Sequence, residues 1–118
     1  MKGYIVKKPI SLTGTFYQTV PEGTMLFHEA RIEIDASRFP PIIILDKAKY
    51  ERILTQGRSC LEEIEVNTEE IKELAKLKKQ RSERLDHKRP TNELDEKIEE
   101  RLYGLLKVIN GDNNNNHK

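Results

Sequence analysis

The chain has no tryptophan, and its 118 residues include only three Phe and four Tyr. Aromatic side chains supply the largest buried area per residue, so the core must be built mainly from aliphatic groups. With 36% hydrophobic and 35% charged residues, that core is modest and leaves apolar surface for self-association or a partner. The single cysteine, Cys60, excludes an intrachain disulfide and fits a reducing compartment. His28, His87 and His117 lie far apart in the chain, and no paired Cys or His spacing suggests zinc. There is no G-x-x-x-x-G-K-[ST] motif, and Gly14 and Gly23 form no phosphate-cradling loop. No apolar run approaches a membrane span, and the N-terminus lacks a signal-peptide core. A net charge of +1 gives no global field to hold nucleic acid or an anionic membrane. The expected location is the cytosol of a bacterium or phage-infected host, with the virion as an alternative. The length fits one domain, or a small domain with an appendage.

Residues 1–66 carry strand-like patterns and one short helix. Tyr4-Ile5-Val6 predicts a first strand, and Ile10 and Leu12 alternate with Ser11 and Thr13 in a second. The segment Thr15-Phe16-Tyr17-Gln18-Thr19-Val20 has strong β propensity. Val20-Pro21-Glu22-Gly23 reads as a turn, because proline presets φ and glycine accepts the exit geometry. Further strands are expected over 24–27 and 31–34, followed by a stiff connector at Phe39-Pro40-Pro41. Ile42-Ile43-Ile44-Leu45, bounded by Pro41 and Asp46, predicts a buried strand. Asp46 caps a helix over 47–56 with Tyr50, Ile53 and Leu54 facing inward and Gly57 stopping it. Leu61, Ile64 and Val66 mixed with Glu62, Glu63 and Glu65 predict a last strand exposed on one side.

Residues 67–110 predict two amphipathic helices joined near Pro90, as a hairpin or a kinked arm. Asn67 and Glu70 are spaced as a capping box, and Ile71, Leu74, Leu77 and Leu85 follow at helical spacing. Leu94, Ile98, Leu102, Leu105 and Ile109 step by four, four, three and four, drawing one apolar stripe down the second helix. Lys78 and Arg81 stand where a matching seam on the first helix would want apolar residues. That imbalance makes Leu94, Ile98, Leu102, Leu105 and Ile109 the candidate interface with another copy or another protein; packing within the hairpin is the alternative. From Gly111 onward the Asn-rich run predicts a disordered tail over 111–118.

Catalysis finds little support. His28-Glu29 could form an acid–base pair, but a surface histidine accounts for it, and Cys60 would need a histidine brought near by the fold. No catalytic residue, metal ligand or cofactor is assigned. Lys78, Lys79, Arg81, Arg84, Lys88 and Arg89 are the candidate nucleic-acid contacts, opposed by Glu83, Asp86 and the acidic block after Pro90. A solvated or internally paired face is the stronger reading of that basic stretch.

The opening strand, the turn at Val20-Pro21-Glu22-Gly23-Thr24, the Asp-capped segment from Asp46 to Gly57 and the closing Glu63-Ile64-Glu65-Val66 resemble short bacteriophage structural and assembly proteins. The resemblance covers residues 1–66 and departs at Phe39-Pro40-Pro41-Ile42 and in the helical half. It implies an assembly or host-interaction role without catalysis and carries over no site residues.

The expectation is therefore an α+β protein with a small N-terminal β module and a C-terminal helical hairpin or arm. Its expected function is non-catalytic protein–protein interaction, as a homo-oligomeric phage-type assembly or adaptor protein. The alternatives are a nucleic-acid accessory protein using the basic first helix, or a small phage inhibitor of a host defence enzyme.

Overall fold

Short strands precede two long helices in the computed structural model, which describes residues 1–14 and 18–115, with side chains to residue 109. The first strands are β1 (Lys2–Val6), β2 (Ile10–Leu12), β3 (Gln18–Val20) and β4 (Thr24–Phe27). Next come β5 (Ile32–Asp35), β6 (Ile42–Ile44), helix α1 (Lys47–Gln56), a 3-10 turn and β7 (Leu61–Glu65). The helices α2 (Thr68–Asp86) and α3 (Asn92–Asn115) complete an α+β chain. It divides into two compact units, Met1–Glu65 and Val66–Lys118.

The first unit is built on an antiparallel sheet of order β6-β5-β4-β1-β7. Register sorts its side chains by pleat. Tyr4 lies opposite Leu26, and Leu26 opposite Glu33, so these share a face. On that side Val6 and Leu26 join Ile10, Leu12 and Val20 from the β2–β3 pair, and Tyr50 and Ile53 from α1, in one buried cluster. The opposite face carries the buried side chains of Met25, Phe27, Ile32 and Ile34. Gly3 lies opposite Phe27, where a Cβ would collide with the Leu26 carbonyl oxygen and stand 2.7 Å from the Phe27 ring.

Helix α1 forms as its sequence dictates. The Asp46 carboxylate accepts from the backbone N–H groups of Ala48 and Lys49, which satisfies two donors of the first turn. Gly57 closes the helix with its N–H on the Ile53 carbonyl, yet its φ of −118° is open to any residue. What demands glycine there is space, since a Cβ would lie 2.5 Å from Ile10 Cδ1. Gln56 Oε1 accepts from Thr13 N–H at 2.7 Å, and Gln56 Nε2 and Arg52 Nη2 donate to the Thr13 carbonyl at 3.1 and 3.0 Å. These bonds pin the end of β2 to the helix.

Two expectations change here. Where a buried strand over Ile42-Ile43-Ile44-Leu45 is expected, Ile42–Ile44 form an edge strand among the described residues, and Leu45 beyond it is 71% exposed. A run of apolar residues shows that both faces of a strand are apolar, but not that it gains neighbours on both sides. The helix α3 also runs through Gly111 to Asn115, where a disordered tail is expected. Extending an existing helix fixes only one residue per added hydrogen bond, so poor helix formers can be carried along. The expected strand residues 15–17, and residues 116–118 of the expected tail, lie outside the described residues.

Candidate protein-interaction site

The second unit is a hairpin. Asn67 caps α2, its side chain accepting from Glu69 N–H at 2.8 Å. Glu70 does not complete the capping box, because its carboxylate accepts from Arg101 Nη1 of α3 at 3.2 Å. At the other end Arg81 Nε donates to Asp95 Oδ1 at 2.6 Å, and Thr91 Oγ1 donates to Asp95 Oδ2 at 3.1 Å. Two cross-helix ion pairs thus hold α2 and α3 side by side at both ends.

The seam between these helices consumes the apolar stripe. Ile71, Leu74 and Leu77 of α2 are buried, and so are Leu94, Ile98, Leu102 and Leu105 of α3, none more than 7% exposed. Leu94, Ile98 and Leu102 are interior side chains outside the groove between the helices, Leu105 keeps only a 4% exposed edge at that groove, and Ile109 is half-buried. The longest stripe on a helix is the one its covalent neighbour covers first, which is why the candidate interface became core.

The basic stretch is divided in the same way. Arg81 is committed to Asp95, and Lys79, ~200° back around the helix, is exposed on the side away from it. Lys78 and Arg84 are half-buried, while Lys88 and Arg89 follow the helix in the turn, where Lys88 adopts a φ of 54°. The six cations do not form one face.

An open groove of about 780 Å³ lies between the first half of α2 and the middle of α3, from Lys97 to Val108. Its apolar lining is Val66, Leu77, Leu105, Gly104 and Val108. Gly104 leaves a notch, with no atom within 4 Å of where a Cβ would stand, and Val108 beside it is 60% exposed. Of the charged residues around the groove, Arg101 is paired with Glu70 and Lys97 with Glu93. The carboxylates of Glu73 and Glu100 have no ion-pair partner among the described residues, which leaves the rim acidic. Tyr103 is 70% exposed but projects from the side of α3 opposite the buried stripe, outside the groove. Gly104 and Val66 were not legible as site residues, since a glycine notch is visible only beside the helix that frames it.

The first unit holds a group of buried and half-buried polar side chains. Glu33 is buried on β5, with Lys49 Nζ of α1 3.4 Å from its Oε2. Burial pushes the Glu33 carboxyl above its ordinary 4.5, and the Lys49 charge offsets part of that. The buried Tyr50 hydroxyl has no hydrogen-bond partner among the described residues, and burial and the field of Tyr4 push its pKa up to about 12. His28 packs against both rings, with centroids 4.7 Å from Tyr4 and 6.0 Å from Tyr50. Its place is in an aromatic cluster, half-buried, where a surface histidine was expected. Cys60 is a free, half-buried thiol at the margin of the core cluster.

Among the described residues no group of three or more His, Cys, Asp or Glu is placed to hold a metal ion, and no helix is long and apolar enough to cross a membrane. No protein-family model, curated protein or solved structure matches the chain.

Proposed function

We propose that this chain is a non-catalytic protein–protein interaction protein, an adaptor whose hairpin groove receives an amphipathic helix from a partner. The observation that carries this reading is the groove itself: an apolar floor at Leu77 and Leu105, a notch at Gly104 and an exposed apolar wall at Val108. A helix laid in such a groove anchors through side chains at i, i+3, i+4 and i+7. The uncompensated carboxylates of Glu73 and Glu100 favour a partner helix whose apolar stripe is flanked by Lys or Arg. The resemblance of residues 1–66 to phage assembly proteins agrees with an adaptor role, and the free Cys60 thiol agrees with a reducing cytosol.

A displayed library of helical peptides, selected on the full chain and counter-selected on Val108→Glu, tests the reading. Enrichment of Lys- or Arg-flanked amphipathic helices that bind wild type and Tyr103→Ala but not Val108→Glu is expected. No enrichment, or enrichment indifferent to Val108→Glu, would overturn it.

A further inference from the structure

We propose that the free edge of β6 is a self-pairing surface, at which a second copy of this chain adds its own β6 antiparallel across a two-fold axis. This interface is separate from the hairpin groove and does not depend on it.

The two edges of the sheet are built differently. At one edge β7 reads Leu-Glu-Glu-Ile-Glu, and Glu62, Glu63 and Glu65 pair with Lys7, Lys2 and the N-terminal ammonium. Charge on an edge strand discourages addition of another strand, and two copies of β7 would set carboxylates against each other. At the other edge every residue from Phe39 to Leu45 is apolar: Phe39, Pro40, Pro41, Ile42, Ile43, Ile44 and Leu45. Among the described residues β6 has one strand neighbour, β5, so its outer backbone groups face no ladder. Phe39 and Leu45, which bracket the strand, are 55% and 71% exposed, and the three isoleucines between are half-buried.

The occupant follows from this chemistry. A strand carrying charge would place it against isoleucine, whereas a second β6 is as free of charge as the first. The register follows as well. Pro41 lacks an N–H and Asp46 is committed to capping α1, so pairing is confined to the strand Ile42–Ile44, whose central residue is Ile43. Ile42 of one copy then faces Ile44 of the other, and Leu45 comes over Pro41. An isologous contact closes at two copies, and the three-residue strand makes it reversible.

Sedimentation of the full chain across a wide concentration range tests this. Wild type is expected to pass from monomer to dimer and stop there. Phe39→Lys/Leu45→Lys changes only exposed side chains, so circular dichroism should be unchanged while the dimer dissociation constant rises by at least about tenfold. Val108→Glu should leave the dimer intact, which separates this interface from the groove. Ile43→Cys in a Cys60→Ser background should form an intermolecular disulfide, because residues directly opposite across an antiparallel pair have Cα atoms ~4.5–5.5 Å apart. A wild-type monomer at every concentration, a dimer unaffected by the two lysines, or no cross-link at position 43 would overturn the proposal.

Discussion

Gly3 and Gly57 of the β unit and Gly104 of the helical unit stand in opposite surroundings. In the β unit, Gly3 and Gly57 are filled space: Phe27 and the Leu26 carbonyl close on one, and Ile10 on the other. In the helical unit, Gly104 borders open space, in the middle of a helix that would be more stable with alanine there. The β unit has spent its room on packing and tolerates no added methyl at those points. The helical unit keeps open space at Gly104 at a cost in helix propensity, space that the proposed function assigns to a partner helix.

The sharpest way to break that comparison is to add one methyl on each side. Gly3→Ala should destabilise the chain by about 3 kcal/mol, through the overpacking of a site with backbone on one side and a buried ring on the other. Denaturant unfolding measures it; a neutral or stabilising result would mean that the β unit has slack there. The opposite sign is expected from Gly104→Ala, which should stabilise by ~0.5–1 kcal/mol, since nothing is displaced and a flexible helix residue is removed. The same substitution shallows the notch, so it should weaken peptide binding while raising the melting temperature. A loss of stability would show that the notch is filled by something in the folded chain.

A smaller effect concerns pH. The folded-state pKa of Glu33 is raised above its ordinary 4.5, so between these two values the folded state holds more protons than the unfolded state. The contribution of Glu33 to stability should therefore fall as pH rises through that window, and the cost of the buried carboxylate is fully present above it. Glu33→Gln should flatten this slope, as measured by chemical denaturation across the window. An unchanged slope would place the proton elsewhere.

The local elements were legible because their signals are local. Asp46 caps α1, Asn67 caps α2, and the break at Lys88-Arg89-Pro90 ends one helix before the next. The placement of apolar surface was not, because it depends on which neighbour arrives. Ile42-Ile43-Ile44 carries the composition of a central strand and stands at an edge. The stripe from Leu94 to Leu105 has the spacing of an interface and is interior. Arg81 sits in a basic run and is held by Asp95, fourteen positions on, a partner visible only once the chain has turned. In each case the sequence specified the chemistry of a face while the topology decided what covered it.

The most direct measurement is a backbone amide NMR titration of the full chain with a Lys-flanked amphipathic helix drawn from the peptide selection. Saturable shifts centred on Gly104, Leu105, Val108 and Leu77, absent in Val108→Glu and retained in Tyr103→Ala, are the expected result. Shifts confined to other surfaces, or none at saturating peptide, would contradict the claim that the hairpin groove is where this protein meets its partner.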